Sequence, residues 1–341
     1  MSNRLLLPSL LTLSALGLAA CGEETTQPNT AADQPSVPQL AIASNTWLSR
    51  RNMPLDLLYQ ATAVVPNAAG QSILYVMGGA KTDSPLPGNP VPMGEVRAYN
   101  VATNSWTWKR DMPSVRWDMK AAVINGKVYV PGGWTLQRKP TASLYVYNPA
   151  SDTWARKRDM PAAGGGGVTA VIGGKLYVVT FSAYSADAVV NFFRYNPTTD
   201  SWTRLPRPTN YSILDVGGGV FNNKLYLIGP NVLVYDPITN QWTRKAAWGR
   251  GLEGPTVVLR SHMYVFGADL DAGGGPSPGI FIYDPVTDTW EKKPLLTKFA
   301  WHTPYGLAAA RVFLDGEPRV EVVGGERGWP GSPGNNQQYI P

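Results

Sequence analysis

Short runs of alternating apolar and polar residues recur along most of the chain, and most of them end in glycine. The runs are rich in Tyr and β-branched residues, which favour strands. They span residues 74–79, 128–133, 176–179, 225–229, 263–267 and 320–325. A run of small residues precedes each of them, and a further strand-like run follows. The pattern predicts repeated antiparallel strands, with small side chains where the strands crowd around an axis.

A second repeat lies between these runs, in which a Tyr is followed by Asn or Asp, usually by Pro, and then by a Trp seven positions after the Tyr. The five pairs are Tyr99 and Trp106, Tyr147 and Trp154, Tyr195 and Trp202, Tyr235 and Trp242, and Tyr283 and Trp290. The Trp residues follow one another at intervals of 48, 48, 40 and 48 positions. A period of this length with strand and turn residues indicates a propeller or an array. Each unit is predicted to hold four antiparallel strands.

This pattern resembles the kelch repeat, in which a double glycine, a Tyr and a Trp at set spacing mark one blade of a β-propeller. The resemblance covers roughly residues 44–341. The double glycine is lost at Val178-Val179 and reduced to one residue at Gly229 and Gly267. Kelch propellers include enzymes as well as binding scaffolds, so the resemblance implies a fold rather than a function.

The sequence contains six of the strand-like runs that mostly end in glycine, but only five strands in which a Trp follows a Tyr by seven positions. The sixth Trp strand lies upstream, because Trp47 followed by Met53-Pro54 repeats Trp154 followed by Met160-Pro161. We therefore expect an all-β, six-bladed kelch-type propeller over residues 44–341. Its last blade is closed by the N-terminal strand, which removes the open sheet edges.

The first twenty residues are predicted to be a lipoprotein signal peptide. Arg4 precedes an apolar run that is too short for a membrane-spanning helix. The run ends in Leu18-Ala19-Ala20-Cys21, which resembles the bacterial lipobox, where the cysteine is acylated. A plain signal peptide with a chance cysteine is the alternative, but Cys21 is the one cysteine of the chain. Residues 21–43 are rich in Thr, Gln, Pro and Ala and are predicted to form a flexible tether.

These features predict an exported monomer that is attached to the bacterial cell envelope through lipid on Cys21. In a Gram-negative cell the anchoring membrane would be the outer membrane, since Gly22 rather than Asp follows the cysteine. In a cell without an outer membrane it would be the outer leaflet of the plasma membrane. The chain carries 30 Lys and Arg against 24 Asp and Glu, a net charge of +6.

Many of the basic residues follow a repeat Trp, on the predicted outermost strands. Two explanations stay open: the charges protect exposed sheet edges, or they form a belt that rests on anionic lipid or cell-wall polymer. Nucleic acid is not an expected partner, because no recognised binding motif is present. The basic residues concerned are Arg50, Arg51, Lys109, Arg110, Arg156, Lys157, Arg158, Arg204, Arg244, Lys245, Lys292 and Lys293.

Aromatic and charged residues outside the repeat cluster in loops that should share one face of the propeller. These loops precede an innermost strand or follow a second strand. Rings cover the apolar faces of a ligand and charged groups fix its orientation, so we expect this face to bind a glycan, a peptide or an envelope protein. The alternative is that the aromatic side chains fill the funnel or pack loops together. The candidate ligand-face residues are Tyr59, Arg116, Trp117, Trp134, Tyr211, Asp215, Trp248, Arg250, Glu253, Trp301, His302 and Trp329.

No metal or cofactor is expected. The copper chemistry of some kelch propellers needs histidines and a Tyr–Cys cross-link, whereas this chain has two histidines and one cysteine. Neither histidine is placed for a zinc site. The glycine runs 164–167 and 217–219 lack the context of a phosphate loop and are interpreted as strands packed at the axis. No nucleophile elbow is present.

Two functions remain after these exclusions. The first is a non-catalytic recognition or scaffold module that uses the aromatic face. The second follows from a resemblance to kelch enzymes that interconvert sialic acid anomers. Glu253 would then move a proton and Arg250 would hold the substrate carboxylate.

Overall fold

The computed structural model describes residues 45–55, 57–81, 91–183, 185, 188–208, 217–229, 231–248, 252–269, 277–294, 306–325 and 336–341. The secondary structure in these ranges consists of strands, and no helix there is long and apolar enough to cross a membrane. The predicted signal peptide, the tether and Cys21 lie outside the described residues, so their assignments stay predictions.

Six sheets of four or five strands form the blades, numbered I to VI in chain order. Blade I contains β2 (Ala61–Pro66), β3 (Ser72–Met77), β6 (Val96–Asn100) and β7 (Ser105–Lys109). Blade II contains β8 (Ala122–Ile124), β9 (Lys127–Pro131), β10 (Leu144–Asn148) and β11 (Thr153–Lys157). Blade III contains β12 (Gly165–Ile172), β13 (Lys175–Phe181), β14 (Val190–Asn196) and β15 (Ser201–Arg204).

The remaining blades follow the same antiparallel order. Blade IV contains β16 (Gly217–Phe221), β17 (Lys224–Ile228), β18 (Val232–Asp236) and β19 (Gln241–Lys245). In blade V, β20 (Leu252–Glu253) and β21 (Thr256–Leu259) both pair with β22 (His262–Asp269), which is followed by β23 (Ser277–Asp284) and β24 (Thr289–Lys293). Blade VI contains β25 (Leu307–Leu314), β26 (Glu317–Gly324), β27 (Asn336–Ile340) and β1 (Thr46–Ser49). A two-stranded ribbon, β4 (Ala80–Lys81) with β5 (Val91–Pro92), extends from blade I.

The ring closes as the sequence predicted, with the N-terminal strand β1 as the outermost strand of blade VI. β1 pairs antiparallel with β27, and Trp47 lies opposite Tyr339. The innermost strands contact one another in the order β2, β8, β12, β16, β21, β25 and back to β2. The described chain is therefore an all-β, six-bladed propeller with no open blade edge at the closure.

The repeated Tyr and Trp form the same packing unit in every blade. In the five Tyr-linked blades the Tyr hydroxyl donates to an Asn or Asp five residues on, at 2.6–2.7 Å. The Trp indole NH of these blades donates to a backbone carbonyl of the preceding blade's connection, at 2.7–3.0 Å. The Tyr and Trp rings lie 4.9–5.2 Å apart. The motif thus joins neighbouring blades, and its recurrence is explained by packing.

The glycine runs are packed at the axis, as the sequence indicated. A Cβ added to Gly218 would come within 2.3 Å of the Tyr226 carbonyl oxygen, and one added to Gly217 within 2.0 Å of the Thr256 hydroxyl. Contacts this short exclude any side chain. These residues therefore lie in strands β12 and β16 and in the segment that leads into β12, and not in a phosphate loop.

The double glycine bends the chain away at the end of the second strand. Gly132 and Gly133 adopt φ values of +64° and +97°, which a residue with a side chain rarely adopts. Blade III has Thr180 and Phe181 at these positions, and not Val178-Val179 as predicted from the sequence, because β13 continues through both to Phe181. Losing the glycines therefore lengthens a strand without opening the ring.

Two basic residues of the outermost strands lie over aromatic rings of the strand beside them. The Arg204 guanidinium is 5.1 Å from the Phe193 ring centre, and the Lys292 ammonium is 5.0 Å from that of Phe281. Such packing covers a sheet edge with charge. The alternative of a belt for anionic polymers stays a prediction.

Candidate functional site

A cavity of about 190 Å³ lies on the propeller axis, at the end where the innermost strands begin. All six blades contribute to its wall. Pockets for drug-sized ligands usually measure about 300–1,000 Å³. The cavity therefore admits one small ligand, or the end of a larger one, and not an extended chain.

One register position of the innermost strands supplies a layer of the wall. Thr62, Thr169 and Thr256 pair with Val76, Val178 and Val265, the same position in blades I, III and V. Blades II, IV and VI carry Ala121, Gly218 and Ala309 there. The ring thus alternates Thr with Ala or Gly, and three hydroxyl-bearing residues are distributed around the axis.

The next inward position, two residues further along each strand, is apolar. It carries five valines and one arginine: Val64, Val123, Val171, Val220, Val258 and Arg311. The lining of the cavity ends above this layer. The polar part of the axis is therefore confined to the end where the innermost strands begin.

A row of three backbone hydrogen bonds runs along the opening of the cavity through four blades, VI, I, II and III. The Tyr59 NH donates to the Gly306 carbonyl at 3.2 Å, the Asp118 NH to Tyr59 at 2.8 Å, and the Gly166 NH to Asp118 at 2.8 Å. We call these four residues the rim. Their φ values are +73° for Gly306, +56° for Tyr59, +48° for Asp118 and +65° for Gly166. The rim therefore requires the left-handed backbone conformation in each of these blades.

Two of the four rim positions carry a side chain where glycine would be less strained. A left-handed conformation costs an L-residue roughly 1–2 kcal/mol, and a bulky residue such as Tyr adopts it rarely. Tyr59 and Asp118 nevertheless hold it, and both line the cavity. Strained non-glycine residues concentrate at functional sites. The rim is accordingly the candidate surface for contacts to a ligand.

Glu253 occupies the corresponding backbone position in blade V. Leu252 pairs with Asp269 just as Leu58 pairs with Ala80 and Trp117 with Trp134. Leu252, Leu58 and Trp117 are directly followed by Glu253, Tyr59 and Asp118, so these last three residues lie at the same level of their blades. The structure describes the backbone of Glu253 and not its side chain.

The charged groups among the described lining residues are Asp118 and Lys120. The Lys120 ammonium lies 3.6 Å from Oδ1 of Asp118. The Asp118 side chain is 9 % exposed and that of Lys120 is 38 % exposed. The Asp118 carboxylate is thus buried, whereas the Lys120 ammonium is partly exposed. Because their charges are opposite, the pair adds no net charge to the described wall.

Two buried oxygen atoms of the wall have no hydrogen-bond partner within the described residues. Gln60 is 3 % exposed, and its Nε2 donates to the Val323 carbonyl at 3.0 Å, while its Oε1 has no donor there. The Thr256 hydroxyl is also buried and has no hydrogen-bond partner among the described residues. Buried polar atoms usually have partners. A ligand or water that donates hydrogen bonds would complete this wall.

Arg116, predicted for the ligand face, is instead buried between strands of blade II. It is 2 % exposed, and its Nη1 donates to the Gly132 carbonyl at 2.9 Å. Its guanidinium lies 4.8 Å from the Tyr145 ring centre. The prediction for this side chain is wrong because the backbone turns it into the blade, while Asp118, two residues on, lines the cavity.

Trp117 and Trp134 support the rim from behind and are buried, at 9 % and 4 % exposed. Their backbones bond to each other in both directions, at 2.9 and 3.1 Å. The Trp117 ring lies 5.6 Å from that of Tyr59 and 6.3 Å from that of Trp134. These two rings pack loops together, which was the alternative weighed for them, and they hold Tyr59 in position.

Trp248 also packs a loop onto its blade. Its indole NH donates to Oδ2 of Asp269 at 3.0 Å, and its ring contacts Phe281 and Trp290 at 4.9 and 5.9 Å. The remaining predicted site residues lie outside the described part of the chain and stay predictions. They are Cys21, Tyr211, Asp215, Arg250, Trp301, His302 and Trp329.

Sequence reasoning missed Gln60, Lys120 and the three threonines of the wall. A partial signal exists, because Thr169 and Thr256 each lie eight positions before the Tyr of the second strand, Tyr177 and Tyr264. Thr62 lies thirteen positions before Tyr75, because the turn between β2 and β3 is longer, so one count from the Tyr does not align it with the other two.

Comparison with known proteins agrees with the architecture. Residues 118–161, most of blade II, match the family model of the Kelch motif. The sequence matched none of the curated proteins with which it was compared. Among solved structures, 612 chains match, including the structure of YjhT. That structure has a TM-score of 0.64 and 15 % identity, and the match covers 85 % of this chain and 95 % of YjhT. The described chain is thus a six-bladed β-propeller, and its second blade matches the Kelch motif.

Proposed function

We propose that this protein is an exported, lipid-anchored recognition module that binds a glycan at the rim and in the axial cavity. The observation that carries the proposal is the pair of strained rim residues, Tyr59 and Asp118, at the opening of a small polar cavity. An aromatic residue beside a carboxylate and a lysine suits a sugar, whose C–H face contacts rings and whose hydroxyl groups both donate and accept.

Binding is tested with soluble protein from residue 36, which contains every strand of the ring. Trp117 contacts Tyr59, so intrinsic tryptophan fluorescence should report ligand at the rim. A glycan array followed by titration is expected to give a saturable signal that Tyr59→Ala removes. Silence across the array would contradict the glycan proposal and favour a peptide or an envelope protein as partner, sought by cross-linking in cells.

Lipid attachment at Cys21 is tested separately. Metabolic labelling with a fatty-acid analogue should mark the full chain, and Cys21→Ala should abolish the label. Label that persists in the Cys21→Ala variant would contradict the anchor without affecting the binding site.

A second candidate is cofactor-independent interconversion of sugar anomers in the same cavity. The position of Glu253 favours it, because two carboxylate-bearing residues, Asp118 and Glu253, then occupy equivalent backbone positions around one cavity. Such a reaction needs a group that gives a proton and one that takes it. NMR exchange spectroscopy should show that the α and β anomers of a sugar interconvert faster with the protein than in buffer alone. Glu253→Gln should return the interconversion rate to that in buffer.

A further inference from the structure

The ion pair at the rim restricts the class of sugar that fits, and this step rests on the function proposed above. Asp118 and Lys120 are opposite charges separated by 3.6 Å, and they are the charged groups of the described cavity wall. Together they contribute no net charge. They present one strong acceptor and one strong donor side by side.

A sugar with two adjacent hydroxyl groups satisfies both members of this pair. One hydroxyl donates to the Asp118 carboxylate while its neighbour accepts from the Lys120 ammonium. The Lys120 side chain is 38 % exposed, so it can adjust to the ligand without breaking a buried contact. The Tyr59 residue on the same rim places an aromatic side chain beside that position.

An acidic sugar fits the same wall poorly. Its carboxylate would approach Lys120 close to the Asp118 carboxylate, and like charges brought together at a binding site oppose binding. A carboxylate also has no proton to donate. Next to the buried Oε1 of Gln60, which lacks a donor among the described residues, a hydroxyl group can donate a hydrogen bond and a carboxylate cannot.

We infer that the ligand is a neutral sugar that presents adjacent hydroxyl groups to Asp118 and Lys120, and that Asp118 excludes acidic sugars. Asp118 thereby acts as a specificity-determining residue. Removing its charge should release Lys120 to bind a carboxylate, which would reverse the preference of the site.

The test uses full-length protein in detergent and matched ligands, the methyl glycosides of the gluco, galacto and manno series with the corresponding methyl uronides. Within a series the two ligands differ in one group, a hydroxymethyl against a carboxylate. Titration calorimetry should show the parent binding at least one neutral glycoside about tenfold more tightly than its uronide. Asp118→Asn should weaken the neutral glycoside about tenfold and bind the uronide at least as well as the glycoside.

Asp315→Asn is the matched control. Asp315 also has a left-handed backbone, φ +55° against +48° for Asp118, but lies in the exposed turn between β25 and β26. Asn tolerates this conformation as well as Asp does, so both variants should fold, and the control should keep the parent's preference. Should Asp118→Asn fail to fold, Lys120→Met replaces it and is expected to lose the neutral glycoside without gaining the uronide.

The outcomes separate this inference from the proposed function. A parent that prefers a uronide, or an Asp118→Asn variant that keeps the parent's ratio, would overturn the inference and leave glycan binding intact. A parent that binds none of the six ligands and gives no signal on the glycan array would overturn both.

Discussion

The hydroxyl of Tyr339 donates a 3.0 Å hydrogen bond to Oδ1 of Asn45, although 294 positions separate the two residues. In the five other blades the same bond joins a Tyr to an Asn or Asp five positions on. Asn45 also shares the left-handed backbone of those partners, at φ +61°. The start of the described chain thus completes, at the end of the chain, a turn that every other blade makes locally.

Deleting residues 44–52 should therefore open the ring. The deletion removes β1, exposes the edge of β27, and takes away Trp47, whose ring contacts Tyr339 at 5.1 Å and Phe266 at 5.9 Å. We expect a fall in melting temperature of at least ten degrees, because burying one large aromatic side chain is worth roughly 3–5 kcal/mol. Thermal unfolding by circular dichroism measures it. A form that begins at residue 44 is the control, and equal melting of the two forms would contradict the role of β1.

Blade VI also departs from the repeat in its second strand, where Glu321 replaces a Tyr. Five blades carry Tyr75, Tyr129, Tyr177, Tyr226 and Tyr264 at this position. Glu321 is fully buried, accepts a 2.6 Å hydrogen bond from Gln338 Nε2, and lies 3.9 Å from Arg50 Nε. Arg50 in turn donates to the Tyr99 hydroxyl of blade I at 2.9 Å. A carboxyl group is thus buried where the ring closes.

Burial raises the pKa of Glu321 from 4.5 to about 7, since desolvation outweighs the hydrogen bond from Gln338 and the charges of Arg50 and Arg319. A raised pKa in the folded state means that this carboxyl stabilises the fold fully below pH 4.5. The contribution is lost as the pH rises through 7, and it amounts to a few kcal/mol at most.

Glu321→Gln should therefore narrow the difference in unfolding free energy between pH 5 and pH 8, and should melt above the parent at pH 8. Denaturant unfolding at the two pH values measures this. Glu317→Gln, at the exposed start of the same strand, is the control and should keep the parent's pH dependence. If the unfolding free energy of Glu321→Gln depended on pH as the parent's does, a group other than Glu321 would be responsible for that pH dependence.

Gly167→Ala tests the close approach of strands at the axis. Gly167 has φ +71°, and a Cβ there would meet the Val179 carbonyl oxygen at 2.1 Å. Gly126 has nearly the same φ, +70°, with nothing within 4 Å of an added Cβ. We expect Gly126→Ala to cost about 1 kcal/mol from backbone strain, and Gly167→Ala to cost clearly more because backbone must move. Equal losses of unfolding free energy would mean that conformation alone requires Gly167.

Trp202→Phe tests the contact between blades II and III. The variant keeps an aromatic ring beside Tyr195 but loses the 2.8 Å bond from the indole NH to the Arg158 carbonyl. We expect a loss of about 1 kcal/mol in unfolding free energy. Trp108→Phe, on an outer strand and 60 % exposed, is the control and should change the stability less. A Trp202→Phe variant as stable as the parent would show that the ring, and not the indole NH, joins the blades.

The sequence by itself determined the architecture. Six blades were predicted from the alternation of apolar and polar residues and from the Tyr-to-Trp spacing. The closure by β1 was predicted from the similarity of the segments around Trp47 and Trp154. These features are readable because each blade repeats one local pattern, and because that pattern is what packs against the next blade. A position that recurs in every repeat can be recognised without knowing its neighbours in space.

The tertiary structure alone decided which side chains meet at the axis. The cavity wall takes residues from six distant segments, and the spacing from the second-strand Tyr that Thr169 and Thr256 share does not hold for Thr62. Arg116 and Asp118 are two positions apart, yet one is buried in its blade and the other lines the cavity. Asp118 has a left-handed backbone, and its NH and carbonyl both bond to neighbouring blades. Such bonds form only where neighbouring blades pack side by side.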